Sequence, residues 1–261
     1  MSGDNGHVDE YHDALVDLLE LIWGPGFMAP GGPGCVAKMV AGLDLNQCKV
    51  LDIGCGIGGP AMLLAQEYGA RVVGIDLEAP LIERAQRVAS QRGLDGKVTF
   101  KVVEAGPLAA QDGEFDVVYS AGAFTQVDDK LAMFKECRRV LKPGGILTCY
   151  DWTKSPGEYS EDMRYWFKME GLTYAMRTLD EHGVLLEQAG FEDIQMTDAS
   201  QWYRRKAREE YEQLKTELYP KMLELMPQSQ ADYFVENWRA MVVVCDKGEM
   251  QQSFYRARNP R

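Results

Sequence analysis

The chain carries only three histidines, His7, His12 and His182, far apart along its length. They do not supply the clustered imidazoles of a metal centre. Its six cysteines, at positions 35, 48, 55, 137, 149 and 245, include no C-x-x-C pair and lie mostly in apolar segments. That pattern argues against structural zinc and a disulfide framework, and predicts reduced, buried thiols in a cytoplasmic protein. No run of eighteen apolar residues occurs, so no membrane-spanning helix is expected. Basic side chains are the minority: 28 Lys and Arg against 40 Asp and Glu leave a net charge of -12 at pH 7. A surface of that sign repels phosphate backbones and anionic lipid, which argues against nucleic acid or a membrane as partner. The opening MSGDNGHVDEY lacks the basic and apolar stretches of a signal peptide. Repeats, low-complexity tracts and long linkers are also missing, and nothing in the sequence sets an oligomeric state.

What is present is a packable composition, 46% hydrophobic over 261 residues, enough for one domain with a cap. Lys49-Val-Leu-Asp-Ile-Gly-Cys-Gly-Ile-Gly-Gly-Pro60 is the organising stretch. An apolar run with Asp52 inside it leads into Gly54, Gly56, Gly58 and Gly59, and then into a helical pattern. Glycines let the backbone turn sharply and let a ligand approach the main chain. A strand, a glycine turn and a helix start together predict a nucleotide-type site. Arg71-Val-Val-Gly-Ile-Asp76 is a second buried strand ending in a carboxylate. Asp76 stands about 20 residues past the glycines, the spacing at which an acid accepts hydrogen bonds from a ribose.

The remaining pattern alternates. Helices are expected at 8–23, 35–43, 59–68, 79–92, 129–141 and 178–190. Strands are expected at 48–53, 71–75, 97–103, 115–119, 145–150, 191–200 and 250–258. Two long helices are read over 201–245, with Pro227 opening the second. Strands alternating with helices predict a parallel sheet wound on both faces.

The string VLDIGCGIGG…VVGID, then FDVVYS and RRVLKPGGIL, closely resembles class I S-adenosylmethionine-dependent methyltransferases. The resemblance implies an α/β, Rossmann-like, seven-stranded sheet with helices on both faces and a helical lid. It divides the single domain 1–261 into an N-terminal helical lid (1–44), a cofactor-binding core (45–152) and substrate or lid helices with closing strands (153–261). Within the family the chain is most similar to small-amine N-methyltransferases of the phosphoethanolamine and sarcosine–dimethylglycine type. Tyr11 on the first helix, the Ile22-Trp-Gly…Gly-Gly loop and the closing GEMQQSFYRARN carry that likeness.

The cofactor implied is S-adenosylmethionine. Asp52, Gly54, Gly56 and Gly58 are expected around its amino-acid tail, with the loop's backbone making the contacts. Asp76 is expected at the ribose, Leu77 on the adenine, Glu104 at the adenine amino group and Ser120 beside the sulfur. Gly122, Trp152 and Tyr174 are expected at a small-molecule acceptor, with Tyr11 and Gln126 as catalytic candidates. Phosphobase enzymes pair the tyrosine with a histidine where Gln126 stands here, and carry an Asp where Gly122 stands. The arginine and lysine that would hold a phosphate align with Leu172 and Met241. The acceptor is therefore read as an amine or amino-acid nitrogen other than phosphoethanolamine. Transfer to oxygen, sulfur or carbon, and a non-catalytic binding module, are the alternatives. His182 is read as a surface residue, and Arg204, Arg205 and Lys206 as a solvated helix face or a carboxylate partner.

Overall fold

The structure, a computed structural model, describes residues 13–172 and 174–261. Seven strands form one sheet: β1 (Lys49–Ile53), β2 (Arg71–Asp76), β3 (Val98–Val102), β4 (Phe115–Ala121), β5 (Leu141–Lys154), β6 (Glu192–Asp198) and β7 (Met250–Arg258). Their order is β3-β2-β1-β4-β5-β7-β6. β1 to β5 run parallel, and β7 lies antiparallel to both β5 and β6. The order reverses between β1 and β4, so the two connections leave the sheet on opposite sides and open a crevice at the strands' carboxyl ends.

The central strands read as unbroken apolar runs because both faces are covered. On one face lie α2 (Gly32–Met39), α3 (Gly59–Glu67) and α4 (Ala79–Gln91), whose Met39, Met62 and Ala85 pack on Val50, Val72 and Phe100. On the other lie α5 (Lys130–Val140) and α7 (Leu179–Gln188), where Phe134 and Leu186 pack on Leu51, Val118 and Leu147. A second core gathers α1 (Asp13–Trp23), α6 (Glu161–Glu170), α8 (Ser200–Lys215), α9 (Tyr219–Leu225) and α10 (Gln228–Asp246). Leu18, Trp166, Tyr203, Met222 and Trp238 fill it, and Trp152 on β5 joins it to the sheet.

Two expectations are corrected. The span 201–245 holds three helices, because Pro220 in the first turn of α9 and Pro227 at the cap of α10 each start a helix rather than continue one. After residue 152, α7, β6 and β7 complete the sheet layer, while α6, α8, α9 and α10 build the cap. His182 is fully buried, not at the surface. Its ring packs between Phe134 and Tyr255 with Nδ1 2.9 Å from the Thr178 carbonyl, and burial drives its pKa down to about 4.

Candidate active site

After Ile53 the chain turns with φ of +69° at Gly54 and +51° at Gly56, the left-handed region that favours glycine. A Cβ on Gly54 would lie 2.2 Å from the Ala123 Cβ, so no larger residue fits there. The turn is held by its own amides. Gly54 N and Cys55 N both donate to the Ile75 carbonyl, at 2.9 and 3.0 Å. Gly56 N donates to Asp76 Oδ2 at 2.8 Å. At the start of α3, Gly59 N donates to the Gly26 carbonyl at 2.9 Å. These amide donors are engaged inside the protein. An anion such as a pyrophosphate would find them occupied.

Above the turn lies a cavity of about 460 Å³. Leu77, Val103, Leu108, Phe124 and Met133 give it an apolar slot, and Asp52, Asp76, Glu78, Glu104 and Asp128 give it acid groups. No lysine, arginine or histidine is among its described lining residues. Asp52 is buried in β1 with Oδ2 lacking any hydrogen-bond partner. Burial, and then the charge of Asp76, push its carboxyl up to about 8. Asp76 is also raised by burial, against the opposing pull of the Glu78 and Gly56 amides. Its Oδ1 accepts from Glu78 N at 3.1 Å. An ionised carboxylate has about four acceptor sites, so Asp76, on which the Leu77 amide also acts, keeps about one for a ribose hydroxyl.

A second cavity, of about 290 Å³, joins the first along Met28, Ala29, Pro30, Gly122, Gln126 and Tyr150. Its walls are aromatic: Trp23, Trp152, Tyr174, Tyr233 and Trp238. Glu170 also lines it; its Oε1 accepts from Tyr174 Oη at 3.2 Å and its Oε2 from Asn237 Nδ2 at 2.7 Å.

The seam is rigidly built. Gln126 ends a single 3-10 turn, Phe124–Gln126. Asp151, buried near the end of the parallel stretch of β5, accepts from Thr125 N at 3.1 Å. Lys130, also buried, donates from Nζ to the Phe124 and Val127 carbonyls at 2.7 and 2.8 Å. Burial raises the Asp151 pKa and lowers that of Lys130; each charge offsets part of the other's shift. A buried carboxylate and a buried ammonium thus grip the turn's backbone from either side.

The structure brings together most of the residues singled out from sequence. Asp52, Gly54, Gly56, Asp76, Leu77 and Glu104 line the first cavity, Trp152 and Tyr174 the second, and Gly122 and Gln126 both. Two stand behind the wall. A Cβ on Gly58 would lie 2.4 Å from the Phe100 Cζ, so its role is close helix–sheet packing. Ser120 is buried and donates from Oγ to the Ile53 carbonyl at 3.0 Å, tying β4 to β1. Tyr11, His7 and His12 lie outside the described residues. The Arg204 cluster reaches neither cavity: Arg204 pairs with Asp246 at 3.1 Å and Lys206 with Glu209 at 3.2 Å. Sequence reasoning missed Glu170 and Tyr150, which no motif marks.

A family model for a methyltransferase domain matches residues 50–145. A phosphoethanolamine N-methyltransferase of Triticum aestivum is 31% identical over 247 residues, covering 94% of this chain and 48% of the relative. A 27-O-demethylrifamycin SV methyltransferase of Amycolatopsis mediterranei is 29% identical over 221 residues, covering 78% of this chain and 81% of the relative. A solved structure, Haemonchus contortus phosphoethanolamine N-methyltransferase 2 with phosphomonomethylethanolamine and S-adenosylhomocysteine, superposes with a TM-score of 0.90 at 25% identity, over 97% of this chain and 59% of that one. The chain spans about half the length of the plant relatives it matches.

Proposed function

We propose, from the chain's membership of the class I S-adenosylmethionine-dependent methyltransferases, that it methylates a small-molecule acceptor at an amine or amino-acid nitrogen. One observation carries the cofactor half of this reading: the first cavity joins an apolar slot to acid groups, Asp52 buried and Asp76 half-buried among them, with no basic side chain among its described lining residues. That chemistry fits a ligand with an adenine, a ribose and positively charged ends, and opposes an anionic dinucleotide. When bound, the cofactor supplies an electrophilic methyl group on a sulfonium.

The protein's own residues do the rest. The orphaned Asp52 oxygen supports binding of an ammonium group. Asp76 has acceptor capacity left for the ribose, and Leu77 and Glu104 flank the slot where an adenine fits. Gly122 leaves the seam open: a Cβ there would touch only the Ala29 Cβ, at 3.8 Å. Gln126, held by the Asp151 and Lys130 clamp, can orient an acceptor through hydrogen bonds and cannot take up a proton. Much of the acceleration then comes from alignment of acceptor with methyl donor. Tyr11 is our candidate for orienting the acceptor or relaying its proton. The second cavity is at the small end of ligand sites, which suits a small acceptor. The acidic charge and unpaired cysteines support a reducing, cytoplasmic setting. Among the described residues no helix is long and apolar enough to cross a membrane.

Incubating the protein with labelled S-adenosylmethionine and panels of amines, amino acids and phenols tests the reading. Label on an amine nitrogen is the expected outcome, and Tyr11→Phe should lower kcat while sparing cofactor affinity. Transfer to hydroxyls alone would favour a second reading, an oxygen acceptor, which the non-titrating Gln126 supports. Cofactor binding without transfer to any panel would point to a binding module.

A further inference from the structure

The second cavity has one charge among its described lining residues, the carboxylate of Glu170, and no lysine, arginine or histidine. Leu172 and Met241, the positions aligned with a phosphate-holding arginine and lysine, both line it as apolar groups. Glu170 is among the residues that line the second cavity and not the first. Its two neutral donors, Tyr174 Oη and Asn237 Nδ2, use about two of a carboxylate's four acceptor sites. Burial raises its pKa, against those two hydrogen bonds. The same cavity is lined by aromatic side chains. Trp152 and Tyr174 lie 5.8 Å apart between centroids, and Trp23 and Trp238 lie 6.2 Å apart. Ring faces attract cations, most strongly where water is excluded.

We propose that the acceptor is a short molecule with a cationic nitrogen remote from the atom that is methylated, held by Glu170 and the aromatic walls, as an alkyl diamine would be. The near nitrogen reaches the seam beside Gln126 and the far ammonium donates to Glu170. A phosphate beside Glu170 meets a carboxylate and, among the described lining residues, no charge-assisted donor, which disfavours phosphorylated amines. This identifies the substrate class for the methyl-transfer reading above and rests on it for which atom is methylated. The alternative role for Glu170 is structural: through Asn237 it ties the end of α6 to α10, and such a tie has no preference for charged ligands.

Calorimetric titration separates the two. 1,3-Diaminopropane, 3-amino-1-propanol and phosphoethanolamine are titrated into the 261-residue chain, with and without saturating S-adenosylhomocysteine. The expected result is about tenfold or more tighter binding of the diamine than of the amino alcohol, with phosphoethanolamine weakest. Glu170→Gln should narrow that preference to about twofold while leaving S-adenosylhomocysteine affinity unchanged. Equal affinities for diamine and amino alcohol in the wild type, or tighter binding of phosphoethanolamine, would overturn the proposal even if the variant failed to fold. A preference unchanged in Glu170→Gln would overturn it too. Absence of S-adenosylhomocysteine binding would instead remove the methyl-transfer reading, while the ligand-free titrations still decide the role of Glu170.

Discussion

Asp76 Oδ2 accepts a hydrogen bond from the Gly56 amide at 2.8 Å. The acid at the end of β2 and the glycine turn after β1 are therefore one mechanical unit. The same carboxylate reaches Glu78 N through its other oxygen. It orders two loops and still has acceptor capacity facing the cavity.

Asp76→Asn replaces one acceptor oxygen with a donor that confronts an amide. Affinity for S-adenosylhomocysteine should fall by about 1–3 kcal/mol, the range for hydrogen bonds to a charged group. Titration calorimetry checks this, and unchanged affinity removes Asp76 from the ribose.

Two glycines two residues apart should fail differently. Gly58→Ala sets a methyl 2.4 Å from the buried Phe100 ring at a φ of +81°, so stability should drop by about 1–3 kcal/mol. Gly56→Ala meets only the Met28 Sδ, at 2.9 Å, which can swing away. It should cost less stability and more ligand affinity, since Gly56 lines the cavity. Urea denaturation and ligand titration on both variants read the contrast. The reverse ranking would show that the cavity wall is wrongly assigned.

Asp52 makes stability depend on pH. Its folded pKa, about 8, lies above the ordinary carboxylate value of 3.8. Between those values the native state keeps a proton that the unfolded chain releases, so stability falls as pH rises. Asp52→Asn should flatten that part of the fall in Tm between about pH 5 and pH 8. A ligand ammonium favours ionised Asp52, so the Tm gain from S-adenosylhomocysteine should grow with pH in the wild type and not in the variant. Parallel pH profiles for the two proteins would separate Asp52 from the ligand.

Arg84 on α4 holds the cap's first helix. It donates to Asp17 Oδ1 at 2.7 Å and also to Glu20. Glu20 accepts in turn from Gly26 N at 2.5 Å, in the loop that covers the cavity. Arg84→Ala should speed hydrogen exchange across 13–33 about fivefold, for a half-buried pair worth about 1 kcal/mol. Saturating S-adenosylhomocysteine should slow exchange there in the wild type, as expected of a gating segment. Exchange indifferent to both would mean that the segment is a fixed wall.

By itself the sequence determined the layered sheet and the cofactor crevice. Asp52, the 54–59 glycines and Asp76 are local signals, because a strand, a left-handed turn and a second strand's end each leave their mark within a few residues. The strand at 250–258 was legible for the same reason, with bounds that match β7. His182 was not legible: burial of an imidazole depends on Phe134 and Tyr255, which are remote in sequence. Gly58 and Ser120 were placed near the cofactor by motif, yet whether a motif residue faces the cavity or the core depends on which partner packs behind it. Only the tertiary structure assembled the second cavity. Glu170 ends a cap helix outside any motif, and it lines that cavity because α6, α10 and β5 converge from distant parts of the chain. Sequence records the turn a residue makes; the neighbours that set its charge and access are chosen by packing.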